Sequence, residues 1–271
     1  MKKLMLFLLV LSITSCNERV KPEVSDEKQV PMSNVIIHKE YSGAEPTEPE
    51  GTEFYEPKVP VVKPSINGSA PSDAIVLFDG TSLDAWMHTQ DSTAVKWNLN
   101  DDGSMTVKDK TGNIQTKQNF GDVQLHLEWS SPAEVQRDGQ NRANSGVFLN
   151  GLYEVQILDN NDNPTYVNGQ VGSIYKQHTP LAMASVPSGE WNTYDIIYRS
   201  PEFNNAGEKI KSGTITVLHN GILIQDDAEL KGTTPYIGWP KNPAHGKGPL
   251  MLQDHQDNSR VSYRNIWIRE L

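Results

Sequence analysis

The chain has 271 residues, 34 acidic side chains against 24 basic ones, and a formal net charge of −10. That acidity, with no Lys/Arg cluster to reverse it, argues against a nucleic-acid partner. Cys16 is the only cysteine, which excludes an internal disulfide framework and takes thiol catalysis and cysteine-bound zinc out of consideration.

The first sixteen residues read MKKLMLFLLVLSITSC. Lys2 and Lys3 precede a short apolar run, the anatomy of an export signal too short to span a bilayer. The run ends at Ile13-Thr14-Ser15-Cys16, which resembles a bacterial lipobox, in which the cysteine receives lipid and becomes the new N-terminus. The expectation is a lipoprotein signal over residues 1–16, lipidation at Cys16, and a protein held by its lipid anchor at a membrane of the bacterial cell envelope, in the periplasm or on the outer-membrane surface. The alternative is an ordinary cleaved signal with Cys16 incidental. Residues 17–73 contain PTEPEGTEFYEPKVPVVKP, whose prolines and acids favour an extended, solvated tether. Residues 59–62 are not counted as a strand.

Residues 74–271 are long enough for one domain with a substantial core. Strand signals dominate. AIVLF (residues 74–78) ends at an Asp79-Gly80 turn, and KWNL, SMTVK and NIQTK follow between DDG and TG turns. DVQLHLEW alternates, with Val123, Leu125, Leu127 and Trp129 inward and Gln124, His126 and Glu128 outward. SGVFL, YEVQIL, WNTYDIIYR, GTITVLHNGILIQ and RVSYRNIWIREL complete the set, and His219-Asn220-Gly221 marks a hairpin. No segment sustains helical periodicity. The expected fold is all-β, a sandwich or jelly roll.

In GLYEVQILDN (residues 151–160) the alternation puts Tyr153, Val155 and Ile157 on one face and Glu154, Gln156 and Leu158 on the other. An acid on a fully packed face is costly, so the second face reads as wetted surface or as a binding cleft. The longer loops carry Arg137, Arg142, Asn144, Tyr175, Lys176, His178 and His245, a polar set suited to sugar.

LFDGTSLDAW, NSGVFLNGLYEVQILDN, GSIYKQ, GEWNTYDIIYR, TVLHNG and GPLMLQDHQDNSRVSYRNIWIREL occur in this order. Together they resemble the 3-keto-disaccharide hydrolase family over nearly all of residues 75–271. The resemblance implies a concanavalin A-like jelly roll with Glu154 and Gln156 lining a concave groove. It also implies cleavage of glycosides oxidised at C3, and an upstream sugar oxidoreductase that makes the ketone.

A C3 ketone acidifies the C2 proton; a base removes it, the enolate expels the C1 substituent, and water adds back. Glu154 is the first candidate for the base, against a role in orienting sugar only. His255 is a candidate base or acid, and Lys176 and Arg142 are candidates to stabilise the enolate oxygen. Gln156, Asn144 and Gln253 read as hydroxyl binders, Asp159 and His178 as further substrate contacts, and Tyr175, Trp191 and Trp239 as stacking platforms, Trp191 more often core. His126 and His219 read as structural. No cofactor is required; calcium enters only by analogy with jelly-roll lectins, and no zinc-ligand spacing such as H-E-x-x-H is present. A non-catalytic carbohydrate-binding lipoprotein remains open. So does a conventional hydrolase using Glu154 and Asp159, which would need two carboxyls roughly 5 Å apart and a β-bulge to bring them to one face.

Overall fold

The computed structural model describes residues 44–53 and 55–271. The apolar leader, Cys16, His38 and most of the first half of the tether lie outside the described residues. In chain order the strands begin with β1 (Ile75–Phe78), β2 (Trp86–His88), β3 (Asn98–Leu99), β4 (Met105–Thr106), β5 (Ile114–Phe120) and β6 (Val123–Ser130). Next come β7 (Ser145–Leu149), β8 (Tyr153–Ile157), β9 (Asn192–Arg199), β10 (Glu202–Phe203) and β11 (Lys209–Lys211). The last four are β12 (Thr214–His219), β13 (Ile222–Glu229), β14 (Gly248–Leu252) and β15 (Ser262–Glu270). All belong to the unit Met32–Leu271.

The larger sheet has eight strands in the order β13-β12-β9-β6-β15-β4-β3, with β1 added against β15. The smaller runs β2-β5-β14-β7-β8, and β10 and β11 pair separately. All pairings between these strands are antiparallel. The result is the β-sandwich jelly roll that the strand pattern predicts. Asn220 and Gly221 both take positive φ, 51° and 77°, closing the β12–β13 hairpin as the Asn-Gly signal requires.

The core lies between the two sheets. Val123, Leu125, Leu127 and Trp129 from β6 meet Val147 and Leu149 from β7 and Tyr153, Val155 and Ile157 from β8. Two tyrosines of the larger sheet also tie it to the smaller one by hydrogen bonds. Tyr194 donates to the Gln156 carbonyl at 2.8 Å, and the Tyr263 hydroxyl lies 2.7 Å from Ser145 Oγ. Buried hydroxyls need such partners, and these two bond the larger sheet directly to β7 and β8.

Several features escape the sequence pattern. β2, β14 and the β10–β11 pair have short or Gly-Pro-interrupted sequences that give no clean alternation. Leu158 does not share the face of Glu154: β8 ends at Ile157, the chain turns, and Leu158 joins the core. His126 points outward as its strand alternates, yet it is buried. It stacks on Trp267 with ring centres 5.0 Å apart and bonds Asp195 at 2.7 Å. Burial pushes its pKa down, but the Asp195 and Glu128 carboxylates more than reverse this and raise it to about 9. His219 is buried against Asn192, and burial lowers it to about 4, a structural histidine. Near the start of the domain, the Gly68 carbonyl accepts from Trp267 Nε1 and Asn265 Nδ2. Asp73 pairs with Arg269 through two bonds of 2.9 and 2.6 Å.

Candidate active site

The β7–β8 register is continuous, with Phe148 opposite Glu154 and Gly146 opposite Gln156. Since Val147, Val155 and Ile157 face the core, Gly146, Phe148, Glu154 and Gln156 face away from the larger sheet. Segment 172–175 extends this sheet: Ile174 bridges Val155, Gln156 N–H donates to the Ser173 carbonyl, and Tyr175 N–H to the Glu154 carbonyl. One row of outward side chains therefore runs Met87, Gln115, Met251, Phe148, Glu154, Tyr175. A second row holds Gln253, whose N–H donates to the Gly146 carbonyl, then Gly146 and Gln156.

Glu154 is the chemically distinctive member. It is 5% exposed, and among the described residues no donor bonds its carboxylate. Burial raises its pKa from 4.5 to about 8, because the ion loses water and gains no partner. Gly146 makes room for it: a Cβ there would stand 2.4 Å from Glu154 Oε1 and 2.7 Å from Phe148 Cε2.

The second row is short of donors. Gln156 Nε2 bonds Gln140 Oε1 and the Gly169 carbonyl, each at 3.2 Å. Asn144 Nδ2 bonds the Gln140 carbonyl at 2.8 Å, so Gln140 organises both. Gln156 Oε1 and Gln253 Oε1 are buried with no hydrogen-bond partner among the described residues. Two orphaned carbonyl oxygens and an unpaired carboxyl on one face are acceptors for hydroxyl groups.

Beside Glu154 the row ends in a cleft of about 400 Å³, lined by Tyr166, Tyr175, Lys176 and Trp239 among others. The Tyr166 and Tyr175 hydroxyls lie 2.7 Å apart. The Lys176 ammonium donates to the Tyr236 carbonyl at 2.5 Å. It sits 4.6, 5.2 and 5.7 Å from the ring centres of Tyr236, Tyr175 and Tyr166. Trp239 is 87% exposed and Tyr236 74%, on a loop closed at its neck by the Thr233 N–H to Lys241 carbonyl bond. Exposed aromatic faces at a cleft mouth suit stacking on a sugar ring.

Glu154, Gln156, Asn144, Gln253, Tyr175, Lys176 and Trp239 thus gather on one face. Other candidates do not. Arg142 and Asp159 bond each other at 3.1 Å and border a separate small depression. Asp159 also accepts from Asn161 and Ser188. His178 bonds the Glu229 carbonyl at 2.7 Å, away from the cleft lining. Trp191 lies under the Arg264 guanidinium, 4.1 Å from its ring centre. His255 pairs with Asp257 at 2.9 Å, two residues after Gln253 in the chain. Arg137 donates to the Asp257 carbonyl, and His245 bonds Tyr153 at 2.6 Å. Among the described residues no three His, Cys, Asp or Glu side chains converge as a metal cluster. None of the helices there is long and apolar enough to cross a membrane.

Sequence reading missed Tyr166, Tyr236, Gln140 and Gly146. The tyrosines and Gln140 lie in irregular loops with no periodicity. Gly146 carried one signal, a glycine inside a strand, which marks close approach.

Over residues 73–269 the chain matches the domain family described as 3-keto-alpha-glucoside-1,2-lyase-like. Among solved structures, a provisionally named glycosyl hydrolase of Parabacteroides distasonis is 51% identical with a TM-score of 0.81, covering 85% of this chain and 99% of that one. Two others from that organism, also provisionally named glycosyl hydrolases, are 18% and 23% identical with TM-scores of 0.52 and 0.51. Each covers 73% of this chain, and 94% and 99% of its own; at those identities they speak to the fold alone. Among curated proteins no match to the chain is found.

Proposed function

Because the chain belongs to the 3-keto-alpha-glucoside-1,2-lyase-like domain family across residues 73–269, we propose that it cleaves glycosidic bonds in sugars already oxidised at C3. The family and the solved relative of 51% identity support glycoside cleavage in general. The finer reading rests on one observation: Glu154 is a buried carboxyl with no hydrogen-bond partner among the described residues, next in its row to Tyr175 of an aromatic-lined cleft.

Glu154 is the base for the C2 proton. Burial raises its pKa to about 8, so once ionised it is a stronger base than an ordinary carboxylate. The C–H electrons pass into the C3 enolate, whose collapse forms the C1–C2 double bond as the C1–O bond breaks. Lys176 supplies positive charge where the C3 oxygen becomes an enolate. Gln156, Gln253 and Asn144 receive sugar hydroxyls, and Trp239 stacks at the mouth. Water then adds across the double bond, so the sum is hydrolysis. Conventional two-carboxylate hydrolysis is less favoured, because Asp159 is spent on Arg142, Asn161 and Ser188 and the β8 register holds no bulge.

The reading places an oxidoreductase that makes the 3-keto sugar upstream. It also keeps the expectation of a lipid anchor at Cys16, which would hold the enzyme at a bacterial envelope membrane.

The test compares 4-nitrophenyl 3-keto-glucoside with the same glucoside unoxidised. Release of nitrophenol from the keto form alone is expected. Release from both forms would instead support ordinary hydrolysis. Binding without release from either would make the protein a tethered lectin.

A further inference from the structure

Cleavage at C1 needs a proton for the departing oxygen as well as a base at C2, and Glu154 cannot serve both at once. The row containing Glu154 ends in Tyr175, whose hydroxyl lies 2.7 Å from that of Tyr166, and both rings line the cleft. We infer that Tyr166 is the acid that protonates the leaving oxygen; this rests on the keto-glycoside reading and completes its chemistry.

The two tyrosines of the pair differ in burial. Tyr175 is 8% exposed and Tyr166 39%. Either hydroxyl of the pair can donate; in the arrangement that lets Tyr166 act as the acid, the more deeply buried Tyr175 donates to it. Tyr166 keeps its own proton and turns it to the cleft. Once that proton leaves, the Tyr175 hydroxyl is already aimed at the tyrosinate, a charge-assisted bond stronger than the neutral one it replaces. The Lys176 ammonium, 5.7 Å from the Tyr166 ring centre, adds its field. Burial raises the Tyr166 hydroxyl above its ordinary value, and the bond from Tyr175 offsets part of that rise.

The step balances. Glu154 takes the C2 proton, the C–H pair passes into the C3 enolate, the enolate collapses to the C1–C2 double bond with the C3 ketone restored, the C1–O pair stays on the leaving oxygen, and the Tyr166 proton neutralises it. Water returns a proton to Tyr166 before the next turnover. The charged or titratable groups facing Tyr166 are Glu154, Tyr175, Tyr236 and Lys176.

The experiment measures kcat/KM of the full chain and of Tyr166→Phe on methyl and 4-nitrophenyl 3-keto-α-glucosides, with deuterium entry at C2 followed in heavy water. Nitrophenolate leaves without help; methoxide does not. Tyr166→Phe is expected to lose roughly 10²-fold or more on the methyl glycoside, to change little on the nitrophenyl one, and to keep C2 exchange. Equal losses on both substrates, or no loss on either, would overturn the assignment. Should Tyr166→Phe fail to fold, Tyr175→Phe decides. Without its donor the Tyr166 acid weakens, so the alkaline limb of the methyl-glycoside pH profile should move up, and an unmoved limb would overturn the proposal. Were the unsubstituted protein to release neither aglycone, the keto-glycoside reading would fail first and the assignment with it.

Discussion

The carboxyl of Glu154 lies across the bare backbone of Gly146, so close that a Cβ on Gly146 would fall 2.4 Å from Glu154 Oε1. Two adjacent strands therefore cooperate in one chemical feature: β8 supplies the acid and β7 withholds a side chain. The close atoms are ends of side chains, Glu154 Oε1 and Phe148 Cε2, so Gly146→Ala pushes them aside and leaves the strand ladder in place. The expected result is a folded protein with kcat reduced about 10²-fold, the scale of a displacement near 1 Å at a reacting group. Thermal unfolding and steady-state kinetics on a 3-keto-glucoside check both halves.

Glu154 also leaves a signature in pH dependence. Its folded pKa, about 8, stands above the ordinary 4.5, so the folded protein binds the proton more tightly than the unfolded chain does. The associated stability is fully present below the unfolded pKa and is lost as pH rises towards 8. Relative to Glu154→Gln, the unsubstituted protein should lose melting temperature between about pH 5 and 8, and the difference should level off above. Activity has the opposite slope: a base works when ionised, so kcat/KM should climb through the same range. Parallel melting and kinetic profiles of the two proteins measure this.

Arg142 and Asp159 fill a structural role in this account. Their 3.1 Å pair is buried on both sides, and removing one partner leaves a charge without compensation. Arg142→Ala should cost about 3–5 kcal/mol of stability while the folded fraction keeps its kcat. Denaturant titration alongside active-site-normalised turnover separates the two effects.

The sheets were largely legible because alternation is a physical requirement of a half-buried strand. β6 shows it most clearly, with four inward residues read from the sequence and all four in the core. The outward facing of Glu154 and Gln156 was legible for the same reason. The burial of Glu154 was not, because the tyrosines near it, Tyr166 and Tyr175, lie in irregular segments whose course no periodicity encodes. His126 shows the same limit: alternation predicts the face, but the cover from Gly68, Asn265 and Trp267 is long-range. Arg142, Asp159 and His178 had residue types suited to a site, and only the fold reveals that their polar groups are engaged elsewhere.

Trp239, 87% exposed, carries almost no packing load. Trp239→Ala should shift stability by no more than about 0.5 kcal/mol. If its ring stacks on substrate, KM should rise with kcat little changed, because that contact exists equally before and during bond cleavage. Initial rates across a substrate series check the split.

The central claim is that Glu154 takes a proton from C2 of a 3-keto sugar. Its most direct test is nuclear magnetic resonance of the reaction run in heavy water, with the unsubstituted protein and Glu154→Gln side by side. The account predicts deuterium at C2 of the released 3-keto sugar with the unsubstituted protein, and neither deuterium nor release above background with Glu154→Gln. Release of a sugar that keeps its original C2 hydrogen, or undiminished exchange by Glu154→Gln, would contradict it.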